Sequence, residues 1–344
     1  MIGKSETLLL FGLCATALGN ASTAQAQDAD FKGKQITVAV PTTTGGAYDI
    51  YSRLVARHLG QFLPGHPNMV VVNMPGAGGL IMANWLANAA AKDGTAIGIV
   101  PSPAAFEGLL GNHRAQYDAR RFRWLASLSD YNGVALVWHA TPFHTARDLI
   151  IQESIVGGGG TSSDVTLWPH LFNSLIGTRI KLVSGYVGTS TIALAMERGE
   201  VQGMIGLDWD GWKASKPDWV RDKKMRVLMQ IALTRHPDLA EVSSVLDFAK
   251  NSDDLSVLEL VISRQRYSRA FATAPGTSDP TVSILREAFA KMTASTPFTL
   301  DAERTAVNIH FVPGQDIQAW ANRIYAYPRA TIERATAELR KANQ

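Results

Sequence analysis

The sequence predicts an α/β protein built of two similar lobes, and three observations carry that reading. Short β-rich runs alternate with helical runs, which implies right-handed crossovers and largely parallel sheets flanked by helices. Glycine-rich turns join strand to helix in two pairs, separated by the stretch Trp124 to Asp148, which lacks such a turn. Removing a predicted 26-residue leader from the 344 residues leaves 344 − 26 = 318, more than one core usually serves.

The leader is read from Lys4, an apolar run from Leu8 to Leu18, and Ala24-Gln25-Ala26, whose small side chains fit a signal peptidase. Residues 1–26 are therefore expected to be cleaved on export to the periplasm. The apolar run is shorter than the roughly 20 residues that span a bilayer. Cys14 is the single cysteine and lies inside this run, so the mature chain is expected to form no disulfide and use no thiol.

The elements follow in order. Ile36 to Val40 is a strand, Pro41 to Gly46 a turn, and Asp49 to Leu59 a helix with Ile50, Leu54, Val55 and Leu59 on one face. Met69 to Val72, the turn Asn73 to Gly79 and an alanine-rich helix from Leu80 to Ala91 repeat the pattern, closed by Lys92-Asp93-Gly94 before the strand Thr95 to Val100. The same grammar returns with Ile155-Val156, the turn Gly157 to Asp164 and an apolar segment through Leu175. Ile180 to Val183, the turn Ser184 to Thr189, a helix near Ser190 to Arg198 and the strand Val201 to Leu207 complete the second set. Leu285 to Met292 and Ile317 to Leu339 read as helical.

Charge excludes some functions. With 33 Lys+Arg against 30 Asp+Glu the net charge is +3, too small for a protein that binds nucleic acid. The arginines Arg114, Arg120, Arg121 and Arg123, and likewise Arg264, Arg266 and Arg269, read as solvated faces. Gly76-Ala77-Gly78-Gly79 misses the dinucleotide fingerprint at Ile81, and a phosphate loop from Gly157 would need Gly-Lys at Ser162-Ser163. There is no Gly-x-Ser-x-Gly elbow and no His-Glu-x-x-His helix, so no metal, cofactor or catalytic residue is predicted.

The turns are the candidate site. In open α/β sheets, ligands sit beyond the carboxyl ends of strands, where helix starts offer free N–H groups and a positive dipole end. Thr42 to Gly46, Pro75 to Gly79, Gly158 to Ser163 and Gly185 to Ser190 are rich in Gly, Ser and Thr and hold no Lys or Arg. The expectation is an anion held by amides, hydroxyls and water, with no cationic side chain. Each turn alone reads equally as a plain connector. Asp208, beside Trp209, Asp210 and Trp212, reads equally as a ligand-facing acid and as a helix cap.

Several ordered motifs resemble the periplasmic solute receptors of tripartite tricarboxylate transporters, the TctC or Bug-type binding proteins. They are Gly45-Gly46-Ala47-Tyr48-Asp49, Asn73-Met74-Pro75-Gly76-Ala77-Gly78-Gly79, Lys92-Asp93-Gly94-Thr95, Gly185-Tyr186-Val187-Gly188 and Ala274-Pro275-Gly276. The resemblance implies a two-lobed clamshell (a Venus flytrap) with crossing strands, the first lobe being 27–134 and 271–344 and the second 135–270. It implies a monomer without cofactor that takes a dicarboxylate, a tricarboxylate, an aromatic carboxylate or an amino acid, and that serves a membrane permease or a sensor.

The ligand grip it implies falls on Thr42, Thr43, Thr44, Gly45, Gly46 and Asp49 with Ala77 and Gly78, and on Gly160, Thr161, Ser162, Ser163 and Asp164 with Gly188 and Thr189. Asp49 would stiffen its turn, and Asp164 either faces the ligand or caps the next helix. Val187, Gln202 and Ser278 depart from residues common in the family. The competing readings are a secreted α/β enzyme using Asp49, Asp164 or Asp208 as acid or base, and an adhesive protein without a cleft.

Overall fold

A computed structural model describes residues 30–160, 163–305 and 307–342. The predicted leader and two predicted site residues, Thr161 and Ser162, lie outside the described residues.

Eleven strands occur among the described residues: β1 (Gln35–Val40), β2 (Asn68–Asn73), β3 (Ala96–Val100), β4 (Arg123–Ser127), β5 (Gly133–Trp138), β6 (Glu153–Gly157), β7 (Arg179–Val183), β8 (Gly203–Asp208), β9 (Met225–Ile231), β10 (Ala270–Thr273) and β11 (Val312–Pro313). The helices are α1 (Ala47–His58), α2 (Leu80–Asn88), α3 (Ser102–Glu107), α4 (Asp148–Ile151), α5 (Asp164–Leu171), α6 (Thr189–Glu197), α7 (Trp209–Ser215), α8 (Pro217–Arg221), α9 (Ser252–Ile262), α10 (Asp279–Thr293), α11 (Thr296–Arg304), α12 (Gly314–Ile324) and α13 (Arg329–Ala342).

The strands form two sheets, ordered β11-β4-β10-β3-β1-β2 and β7-β6-β8-β5-β9. β1 pairs parallel with β2 and β3, whereas β10 runs antiparallel between β3 and β4. In the second sheet β6 is parallel to β7 and β8, and β5 runs antiparallel between β8 and β9. Each lobe's mainly parallel sheet therefore admits a reversed strand that arrives from the other lobe. β4 hands the chain to β5 through Leu128–Asn132, and α9 hands it back to β10. Sheets expected to be largely parallel are mixed for this reason.

Alternation builds the first core. Ile36, Val38 and Val40 point to one face of β1 and meet Ile97, Ile99 and the α1 residues Leu54 and Val55, all fully buried. At about 25 cal/mol per Å² of apolar area, each such side chain contributes on the order of 2 kcal/mol. In the second lobe Val134, Leu136 and Met204 pack with Ile192 and Met196 of α6. A third cluster bridges the lobes. Tyr267 meets Trp124 edge-on at 5.1 Å and Phe106 at 5.5 Å, and the same cluster takes in Trp168 of α5 and Leu258 of α9.

In the C-terminal segment, α10 and α12 pack on β4 and α11 on α1, and α13 packs against α5 and α9. Its apolar stripe of Ile332, Ala335, Leu339 and Ala342 joins the bridging cluster. Arg334 pairs with the buried Asp254, and the Tyr327 hydroxyl donates to Glu259 at 3.0 Å. The sequence predicts a helical segment here, not what it packs against.

Candidate binding cleft

The first turn after β1 is fastened by Asp49. Only 1% exposed, its carboxylate accepts from the Arg53 guanidinium at 2.8 Å, the Gly45 amide at 2.9 Å and the Asn73 side-chain amide at 2.9 Å. Asn73 also donates to the Thr42 carbonyl at 2.8 Å. The Arg53 bond, helped by Gly45 and Asn73 and opposed by burial, pulls the Asp49 pKa down to about 2. Asp49 thus holds the turn from behind, and the Gly45 N–H, expected to meet the ligand, is already taken. Thr42 Oγ1 is buried without a partner among the described residues. Thr43 and Thr44 are exposed, and Gly46 is the N-cap of α1.

Beside it, Gly76, Ala77, Gly78 and Gly79 all take positive φ. At Gly79 φ is 95°, and a Cβ there would stand 2.4 Å from the Pro101 ring. Ala77 and Gly78 are exposed.

On the second lobe several expected donors also bond within their own turn. The Gly160 carbonyl accepts from the Ser163 amide at 3.0 Å and the Ser163 hydroxyl at 2.7 Å. The Gly188 amide donates to Thr191 Oγ1 at 3.2 Å. Asp208 caps α7, accepting from the Gly211 amide at 3.0 Å and the Asn132 amide at 3.2 Å. Burial raises its pKa against those two bonds. Asp208 also lines a cavity.

Two cavities share a wall. One of about 310 Å³ is lined by Tyr48, Ser102, Tyr131, Asp164, Arg264 and Arg269, with Trp168. Its neighbour, about 300 Å³, is lined by Ser163, Thr189 and Asp208 with Trp212, and again by Tyr131 and Asp164. Tyr48 belongs to the first turn of α1 and Asp164 to the first turn of α5, so helix starts from opposite lobes face one gap. The Tyr131 hydroxyl donates to the Gly206 carbonyl and lies against Asp164.

The gap contains what the sequence reading excluded. Arg264 and Arg269, discounted as a solvated face, stand in the wall. Arg269 lies over the rings of Tyr48 and Tyr51, 4.7 and 5.1 Å from their centres, and its Nη1 donates to the Ser268 carbonyl at 2.6 Å. Its Nε is buried without a partner among the described residues. Arg266 does differ, pairing with Asp130 at 3.2 Å and donating to Thr234 at 2.9 Å, which ties the two crossovers together. The available signal was position: residues just ahead of a strand returning between lobes must border the gap.

Asp164 is open to the cavity solvent yet walled by protein, and that desolvation raises its pKa against Arg264 and Tyr131. Burial lowers the pKa of Arg264, opposed by Asp164 and Glu107. Elsewhere, Asp210, His236 and Asp238 approach one another closely enough to suggest a metal. Lys213 occupies that position, 3.0 Å from Asp210 and paired with Asp238, so the cluster is an ion-pair network. Arg120 pairs with Asp118 and Arg123 with Asp279 at the surface. No helix among the described residues is long and apolar enough to cross a membrane.

Two mixed sheets, paired crossovers and a cavity between helix starts make a two-lobed α/β fold. Solved TctC solute-binding proteins have the same fold. A ligand-free TctC protein from Polaromonas superposes with a TM-score of 0.67 over 87% of this chain and 98% of its own, at 19% identity. MatC from Rhodopseudomonas palustris, solved with bound malate, gives 0.51 over 89% and 98% at 18% identity. In sequence, a UPF0065 protein from the tcbD-tcbE intergenic region of Pseudomonas sp. (strain P51) is 26% identical over 254 residues, 72% of each chain. No family model matches the chain.

Proposed function

We propose that the protein is an exported receptor of the TctC and Bug kind that captures a small organic carboxylate between its lobes. It closes around the ligand as a monomer and presents it to a membrane permease or sensor. The observation that carries this is the gap shared by the first turns of α1 and α5 and lined by Arg264 and Arg269. Amides at helix starts and guanidinium groups that form no ion pair among the described residues both favour negative charge. Ligand-free protein populates open states, and a carboxylate that reaches both walls shifts the population toward closure by no more than its differential affinity.

The enzyme reading has less support. Asp49 is fully engaged in its turn and Asp208 caps a helix, leaving Asp164 in a cavity that no histidine among the described residues lines. The test is a melting-temperature screen against dicarboxylates, tricarboxylates, aromatic carboxylates and amino acids. A ligand at 100 times its Kd stabilises the folded form by about 2.7 kcal/mol. Recovery of that ligand unchanged and in equal stoichiometry supports the receptor. Turnover, or no shift with any acid, overturns it.

A further inference from the structure

The cavity holds charges of both signs. Arg264 and Arg269 come from the segment that returns the chain to the first lobe, whereas Asp164 opens α5 of the second lobe. Among the described residues no ion pair engages any of the three, whereas the buried acids Asp49 and Asp254 each have an arginine partner. Charges left unpaired in a concave wall call for a ligand that satisfies them. A ligand that is only anionic answers the arginines and leaves Asp164 facing like charge. One that is only cationic does the reverse.

Resting on the receptor reading above, we propose that Asp164 selects the ligand. The cavity takes an acid that also carries a protonated amine, with its carboxylate toward Arg264 and Arg269 and its ammonium toward Asp164. The hydroxyl of Tyr131, held by the Gly206 carbonyl, fixes one side of the ammonium position. The rings of Tyr48 and Tyr51, over which Arg269 lies, hold its guanidinium in the cavity wall. Desolvation of Asp164 and Arg264 agrees with this, because each charge is held in a setting that favours an opposite partner. Trp168 also lines the cavity, whose volume of about 310 Å³ suits a molecule of amino-acid size.

The test uses matched pairs that differ only in the amine: aspartate and succinate, glutamate and glutarate, leucine and 4-methylpentanoate, phenylalanine and 3-phenylpropanoate. Affinities are read by titration calorimetry on wild type, Asp164→Asn and Arg269→Gln, each first shown to melt cooperatively. In at least one pair the amine-bearing member should bind roughly tenfold tighter or better to wild type. Asp164→Asn should bring that ratio close to one, and Arg269→Gln should weaken both members together.

If the deaminated acids bind wild type as tightly as their partners, or the ratio survives Asp164→Asn, this inference falls and the carboxylate receptor stands. If neither member of any pair binds and a tricarboxylate also fails, both fall. The wild-type ratio alone decides the outcome should Asp164→Asn not fold.

Discussion

Replacing Asp49 by Asn tests whether a buried ion pair holds the first binding turn in shape. The displacement of the Asp49 pKa from 3.8 to about 2 corresponds, at about 1.4 kcal/mol per tenfold, to about 2 kcal/mol. Arg53 is 41% exposed, so solvent screening trims its share and the figure is an upper one. Because the folded-state pKa is depressed, this stabilisation is present above the ordinary carboxylate range and is lost as pH falls through about 2. Urea unfolding followed by circular dichroism should find Asp49→Asn less stable by about 1–2 kcal/mol at pH 7. The gap should narrow as pH falls from about 5 toward 3, because only the wild type has this carboxylate to protonate. A gap below about 0.5 kcal/mol at neutral pH, or one that does not narrow in acid, would refute the reasoning.

Three further substitutions separate shape from binding. Gly79→Ala forces a side chain into a left-handed backbone 2.4 Å from Pro101 and should lower stability by about 2–3 kcal/mol, read as a drop in melting temperature. Arg334→Ala leaves Asp254 buried without its ion-pair partner and should cost about 1–3 kcal/mol by denaturant titration, with ligand affinity kept. At Gly46 the backbone is ordinary and a Cβ meets nothing nearer than Thr42 Oγ1 at 3.5 Å. Gly46→Leu should therefore melt within about 0.5 kcal/mol of wild type while binding carboxylates roughly tenfold more weakly or worse, and unchanged affinity would remove that turn from the site.

The parallel halves of both sheets were legible because their signals are local. Ile36 to Val40 followed by Gly45-Gly46 and the Leu54, Val55 stripe is a strand, a turn and a helix whatever surrounds them. The reversed strands were not legible, since β5 and β10 owe their direction to sheets formed by distant segments. The same limit hid the cleft's charge. Glycine turns advertise free amides, but whether Gly45, Ser163 and Gly188 keep them free depends on Asp49, Gly160 and Thr191 folding back. Arg264 and Arg269 resemble surface residues in sequence, and only the return of the chain ahead of β10 turns them inward.

That placement bears on how closure could be driven. A cation on one lobe's outer face would attract an anion equally in open and closed forms, and equal affinity shifts nothing. Arg264 and Arg269 sit where the chain crosses between lobes, with Tyr48 of the first lobe and Asp164 of the second to either side. A ligand lodged against them meets both walls together only when the lobes approach, so contacts to Tyr48 and Asp164 supply differential affinity. Moving such an equilibrium from 1:99 to 99:1 takes about 5.5 kcal/mol, more than one exposed ion pair delivers. Several contacts across the gap must therefore act together. The motion must also accommodate α12, packed on β4, and α13, packed on α5, which are joined by only the short segment from Tyr325 to Pro328. On the receptor reading, closure would bend the chain at three places, the two crossovers and this link, and the Arg266 bonds to Asp130 and Thr234 would keep the first two moving as one.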